Sequence, residues 1–189
     1  MSLRSAACPI AAVVLAACAG GAARPASRAD PPVPVLAANA VVVHIDDGDT
    51  IDVRIGGATE RVRFIGIDTP ETKKPNTPVQ CYGPQASAFT TAFLPLGAGV
   101  RLERDAEARD PYGRLLAYVY RAADGAFVNL ELARGGYARQ LSIAPNTAYA
   151  DLLGAAVSEA QQAGRGLWGA CSAFGVPASP TGGTAPGGR

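Results

Sequence analysis

The chain has 189 residues, 48% of them hydrophobic and 17% charged, with Lys+Arg 17, Asp+Glu 16 and one His. This is room for one ordinary domain with a packed core, and it excludes a disordered polyelectrolyte. The balanced charge gives no bulk pull on nucleic acid, and no run reaches the ~20 apolar residues of a spanning helix. The lone His44 excludes multi-His metal sites and leaves no spare base for a Ser-His-Asp triad.

Residues 1–4 are a short basic region, and residues 6–17 (AACPIAAVVLAA) are an apolar run of signal-peptide length. The run ends in Leu15-Ala16-Ala17-Cys18, which resembles the lipobox of bacterial lipoproteins. Residues 1–17 are therefore expected to be a signal peptide and Cys18 a lipidated N-terminus. An ordinary signal peptide cut nearby is the alternative; export is expected in both cases. Residue 19 is Ala and not Asp, which favours the outer membrane. Residues 18–38, with Pro25, Pro31, Pro32 and Pro34, read as a flexible tether.

The folded part is expected over 39–171. Residues 41–45 (VVVHI) form a strand, Asp47-Gly48-Asp49 a turn, and 50–55 (TIDVRI) a second strand. Gly56-Gly57 turns the chain into a third strand over 60–67. A loop with Pro75 and Pro78 follows, then a helix over 83–94 with Pro84 in its first turn. Residues 100–104 and 115–120 read as strands, separated by the turn Asp110-Pro111-Tyr112-Gly113. A helix over 128–134 ends at Gly135-Gly136, and a longer one runs over 146–163. That helix is apolar at Leu152, Leu153, Ala156, Val157 and Ala160. Residues 172–189 read as a disordered Gly/Pro-rich tail. Strands come first and no βαβ pattern appears, so the fold class is α+β, a small antiparallel barrel with attached helices.

Cys8 leaves with the signal peptide and Cys18 is taken by lipid, so Cys81 and Cys171 remain as an even pair in an oxidising compartment. They are expected to bridge, with two free thiols as the alternative. A bridge requires the end of the domain to run back beside the start of the first helix.

Asp47 and Asp49 stand two apart, which in extended chain puts both carboxylates on one side. They fit either a hard cation or a plain hairpin turn. Asp68-Thr69-Pro70-Glu71 adds two carboxylates, and Pro70 fixes the direction of the Thr69 carbonyl. This segment fits either a cation with its water or a helix start, but Pro75 and Pro78 leave no helix to cap. Arg63 in an apolar strand needs an anion or snorkels at a rim. Arg114 directly follows a turn that could aim it. Together these groups form the kit for in-line attack on a phosphodiester: carboxylates for a metal, a base for water, arginines for phosphoryl charge.

The chain closely resembles the staphylococcal (micrococcal) nuclease family, the thermonuclease-like domains. The matching stretches are Asp47-Gly48-Asp49-Thr50, the run from Arg63 to Lys73 (RFIGIDTPETK), and the run from Tyr82 to Phe89 (YGPQASAF). Asp110-Pro111-Tyr112-Gly113-Arg114, Val128-Asn129 and Leu167-Trp168 also match, all in family order. The resemblance implies an OB-fold, a five-stranded antiparallel barrel with three α-helices. It implies a Ca²⁺-dependent nuclease acting on DNA and RNA, expected to be a monomer. By position, Asp49, Asp68 and the Thr69 carbonyl are the calcium ligands, with Asp47 supporting them from behind. Glu71 is the general base, Arg63 and Arg114 hold phosphate charge, and Tyr112 and Lys73 touch the nucleotide.

Three features depart from the family type. Residues 139–145 (RQLSIAP) lack the tyrosine pair that packs on the terminal nucleotide, with Tyr149 the nearest substitute. Lysines are confined to Lys73 and Lys74, and loss of residues 1–17 removes Arg4 and leaves basic and acidic residues balanced. Nonspecific attraction to nucleic acid is expected to be weaker for it. His44 and Trp168 are expected to be structural.

Overall fold

Alternating residues close the first hairpins of the domain. A computed structural model describes residues 36–178. Strand β1 (Ala40–Ile45) pairs antiparallel with β2 (Thr50–Ile55), and β2 with β3 (Ala58–Phe64). Ile51, Val53, Val62 and Phe64 point inward and are buried, while Arg54 and Arg61 alternate outward. Gly56 and Gly57 both take positive φ, as the two-residue turn between β2 and β3 requires.

Strand β5 (Gly99–Glu103) pairs with β1 and with β6 (Leu115–Arg121), and β6 closes the barrel on β3. The closing pair is parallel, with Val62 opposite Leu115 and Phe64 opposite Ala117. The barrel is therefore mixed, not wholly antiparallel as expected. The chain leaves β3, crosses through helix α1 (Gly83–Phe93) and β5, and returns in the same sense, a long crossover of the kind parallel neighbours need.

The third strand is also shorter than expected. It breaks at Gly66, whose φ is +82°. A Cβ there would stand 2.4 Å from Leu153 Cδ1. The next piece, β4 (Gly66–Asp68), leaves the barrel and pairs with β7 (Arg139–Leu141). This break carries Asp68 and Thr69 to the barrel rim beside the loop between β1 and β2.

Helices α1, α2 (Val128–Arg134) and α3 (Ala150–Gln162) correspond to the expected three, with a short α4 (Leu167–Ala170) after them. Helix α3 starts at Ala150, not at residue 146. Asn146 is buried instead, accepting the Glu107 amide at 2.7 Å and donating to the Glu107 carbonyl at 2.9 Å. Leu153, Ala156, Val157 and Ala160 face the core, whereas Leu152 is exposed. Trp168 packs against the core, and His44 points outward from β1.

Cys81 and Cys171 are bridged, with Cα atoms 6.1 Å apart. The chain does not stop folding there. A hairpin of β8 (Cys171–Ala173) and β9 (Val176–Pro177) follows where a tail was expected from residue 172. The expected signal peptide, Cys18 and the expected tether up to residue 35, and the expected tail from 179, lie outside the described residues.

Candidate active site

Side chains from four segments meet in one open cavity of about 540 Å³ at the barrel rim. The β1–β2 loop and the first residue of β2 give Asp47, Asp49 and Thr50; β3 and β4 give Arg63 and Asp68; the loop after β4 gives Thr69, Glu71 and Lys74; the β5–β6 turn gives Tyr112 and Arg114. Of the residues singled out around this site in the sequence, Lys73 does not line the cavity. Its Nζ turns to Asp46 Oδ1 at 3.4 Å, and Lys74 lines the wall instead.

Asp49 is the most enclosed of the carboxylates. Its Oδ2 accepts from the Thr69 amide at 2.6 Å and the Thr69 hydroxyl at 3.0 Å. Its Oδ1 faces Thr50 Oγ1 and Arg63 Nη1. Asp47 Oδ1 accepts the Asp49 amide at 3.0 Å and so sets the turn that aims Asp49. Gly48 between them leaves no room for a side chain, because a Cβ would meet Thr69 and Ala86 within 2.9 Å. Thr90 of α1 donates to the Gly48 carbonyl at 2.6 Å and fixes this loop from below.

Arg63 spans the two acidic segments, pairing with Asp49 and, through Nη2, with Asp68 Oδ1 at 2.7 Å. Its burial answers the question raised by a guanidinium in an apolar strand. Burial pulls its pKa below the ordinary arginine value and nearby Arg114 pulls the same way, while Asp68 and Asp47 oppose the shift. It stays charged at neutral pH. Burial raises the Asp47 carboxyl above its usual range, against the pull of Arg63, and Glu71 and Asp46 add to the rise.

Glu71 is held by its own loop. One carboxylate oxygen, Oε1, accepts the amides of Thr72 (2.8 Å), Lys73 (2.8 Å) and Lys74 (3.1 Å). Its backbone is tied to Gln80, whose Oε1 accepts the Glu71 amide at 2.8 Å. Arg114 is aimed by Asp110, which accepts Arg114 Nε at 2.6 Å and the Arg114 amide at 2.9 Å. Tyr112 is 85% exposed, its ring 5.6 Å from Arg114 Cζ.

A second, apolar cleft of about 290 Å³ adjoins the first and shares Arg63, Tyr112 and Arg114 with it. Ile67 and Leu116 line it together with Leu141 and Ile143 of the segment 139–145, which has no tyrosine. Tyr149 does not take that place. Its hydroxyl donates to Glu103 and its ring meets Tyr118 edge-on at 4.6 Å, inside the fold.

Two neighbours carry no sequence signal of their own. Arg139 on β7 donates to Asp68 Oδ2 from Nε at 2.9 Å and lies close through Nη2 at 2.8 Å, across 71 residues of chain. Gln80 reaches Glu71 only because the loop closes on itself. Asp110 was legible, since it stands one helical turn's spacing before Arg114 in a turn of known type.

The donors at the rim, Asp49, Asp68 and Thr69, are all oxygen, which suits a hard cation such as Ca²⁺. A cationic guanidinium already lies between both carboxylates, so the gap accepts positive charge. Among the described residues no three acidic, His or Cys side chains form a cation cage by themselves. A cation would therefore take the place of the Arg63 guanidinium between Asp49 and Asp68 and be completed by oxygens other than those of side chains.

A mixed five-stranded barrel with an acidic and arginine-lined rim defines an OB-fold protein built to meet charged oxygen groups. The family model described as staphylococcal nuclease homologue matches residues 61–170, more than half of the chain. The thermonuclease of Staphylococcus intermedius is 49% identical over 128 residues, covering 68% of this chain and 74% of that protein. The thermonuclease of Staphylococcus hyicus is 44% identical over 127 residues, covering 67% and 73%. The endonuclease YncB of Bacillus subtilis is 44% identical over 124 residues, covering 65% and 57%. The chain belongs to the staphylococcal nuclease homologue family.

Proposed function

We propose that the protein is a calcium-dependent nuclease, a phosphodiesterase that hydrolyses DNA and RNA by attack of water. The observation that carries this reading is the convergence of Asp49, Asp68, Thr69, Glu71, Arg63 and Arg114 on one cavity. The thermonuclease and endonuclease relatives support it. Asp49, Asp68 and the Thr69 carbonyl would hold Ca²⁺, which supplies a charge that polarises the phosphodiester. Glu71 takes a proton from the attacking water with the carboxylate oxygen that its loop amides leave free. Arg114, held straight by Asp110, donates to the phosphoryl oxygens as charge gathers on them. Arg63, which now pairs with Asp49 and Asp68, would be free to hold the phosphate once those carboxylates held the cation. Tyr112 flanks the nucleotide, Lys74, which lines the cavity where Lys73 does not, meets its phosphate, and the apolar cleft beyond Arg63 receives a base.

Export and lipid attachment through Cys18 belong to the same proposal, on the sequence of residues 1–18 alone. The deciding experiment incubates the soluble chain from about residue 30 with DNA and with RNA, in Ca²⁺, in Mg²⁺ and in chelator. Cleavage in Ca²⁺ alone is expected. No cleavage in any condition would point to a silent nucleic-acid-binding barrel.

A further inference from the structure

The β8–β9 hairpin lies beyond the residues matched to the family, and two segments of the candidate site lean on it. Phe174, at its turn, lies against the Arg139 guanidinium, with Cζ 4.0 Å from the ring centroid. The same guanidinium holds Asp68 Oδ2. On the other side, the Cys81 amide donates to the Gly175 carbonyl at 3.1 Å. A Cβ on Gly175 would stand 2.9 Å from Gln80 Oε1, so the hairpin turn sits directly on that side chain. Gln80 Oε1 accepts the Glu71 amide, and the Gln80 amide donates to the Glu71 carbonyl at 2.9 Å. The Cys81–Cys171 bridge ties the base of the hairpin to the same loop.

We propose that the hairpin Cys171–Ala173 with Val176–Pro177 is a strap that positions both working carboxylates, Asp68 through Phe174 and Arg139, and Glu71 through Gly175 and Gln80. The proposal rests on the roles given above to Asp68 and Glu71. An ion pair as open as Arg139–Asp68 contributes little alone, because two free side chains must be held in one geometry. Stacking on Phe174 orders the planar guanidinium beforehand. Asp68 Oδ2 then stays occupied, and only Oδ1 is left to pass between Arg63 and a cation. The loop from Glu71 to Gln80 has no regular secondary structure, so its position depends on these few anchors. Arg139, Phe174 and Gln80 are positioning residues and touch no reacting atom.

The test uses the exported chain with its bridge intact, Phe174→Ala, Phe174→Tyr, and the parent after reduction. Calcium binding is read by calorimetry, cleavage against Ca²⁺ concentration, and local order by amide exchange. Phe174→Ala is expected to raise half-saturating Ca²⁺ by about two- to fivefold in both binding and cleavage, with Phe174→Tyr restoring it. Its exchange should quicken along β4–β7 while β2–β3 stays protected. Reduction is expected to speed exchange at residues 72–74 by about tenfold in protein that remains folded. Parental half-saturation and parental β4–β7 exchange in Phe174→Ala would overturn the Asp68 arm. Unchanged exchange at 72–74 after reduction would overturn the Glu71 arm. A parent that neither binds Ca²⁺ nor cleaves would sink the proposed function, and the exchange data would still decide the strap.

Discussion

Arg63 Nη2 stands 2.7 Å from Asp68 Oδ1, inside the gap that the proposed function gives to a cation. Metal and arginine therefore compete for the same carboxylates. Activity is expected to require Ca²⁺ and to vanish in chelator. Mg²⁺, which demands tighter octahedral geometry and sheds water reluctantly, should substitute poorly. Asp68→Asn should shift the Ca²⁺ requirement upward by about tenfold or more, since a charged ligand becomes neutral at similar shape. Cleavage undiminished by excess chelator would remove calcium from the account.

Glu71 offers a clean separation of charge from structure. Its Oε1 serves the amides of Thr72, Lys73 and Lys74, and an amide oxygen can keep that role. Glu71→Gln should therefore preserve the loop and Ca²⁺ binding while turnover falls by about 10²-fold or more. Stopped cleavage assays beside a calcium titration check both halves. Parental turnover in this variant would place the base elsewhere.

The β5–β6 turn makes a related case for Arg114. Arg114→Ala should lower turnover by about 10²-fold through lost transition-state stabilisation. Asp110→Asn leaves Arg114 in place but weakens its 2.6 Å support, so a smaller loss, about tenfold, is expected in kcat with KM little changed. Arg63→Lys should also lower turnover, since an ammonium keeps the charge but lacks the planar fork that holds two phosphoryl oxygens together.

The local signals in the sequence were strong where one segment decides the geometry. The alternation in 50–55, the Gly56-Gly57 turn and the Asp110-to-Arg114 turn each report short-range chemistry. The strand break at Gly66 was not legible, because it answers to Leu153, far away in the chain. The parallel closure of β3 on β6 is likewise a property of the crossover and not of either strand. Among site residues, the family motif led to Asp49, Asp68, Glu71, Arg63 and Arg114. Arg139 and Gln80 stayed hidden because each acts through a partner brought near only by folding. Helix α3 starts four residues later than expected because the Asn146 side chain is spent on the Glu107 backbone, a partner 39 residues away.

Asp105 links pH to stability away from the catalytic rim. Its Oδ2 accepts the Ala148 amide at 2.9 Å and the Tyr118 hydroxyl at 3.0 Å, and its Oδ1 accepts the Ala106 amide at 2.9 Å. The Ala148 amide leads in holding its pKa below the usual carboxylate range, against a smaller effect of burial. The folded pKa thus lies below the unfolded one. The stabilisation is fully present above the unfolded value, about 4, and is lost as pH falls through the folded value. Asp105→Asn should cost about 1 kcal/mol at neutral pH, and the difference from the parent should shrink below about pH 4. Urea melts of both proteins across that range measure it. A difference that stays constant down to pH 2 would mean that the charge of Asp105 contributes nothing.

The Cys81–Cys171 bridge joins the start of α1 to the end of α4 across a separation of 90 residues. Closing so long a loop restricts the unfolded chain, and the entropic relation puts the stabilisation at about 4 to 5 kcal/mol. The native side is prepared for it without the bond. The Leu167 amide donates to the Gly136 carbonyl at 2.8 Å, and Trp168 packs on the core, so the C-terminal segment is already held on the fold beside the end of α2. Replacing both cysteines by serine should therefore leave the barrel folded, with a lower urea midpoint and a somewhat steeper slope, because the freed unfolded chain exposes more surface. The slope separates two explanations. An effect confined to the unfolded chain raises it, whereas fraying of α4 and the hairpin in the native state would reduce it, because less surface is then left to expose. Equilibrium melts of oxidised parent, reduced parent and the double serine variant give both quantities. A midpoint that is the same in all three would show that the bridge adds no stability to this fold.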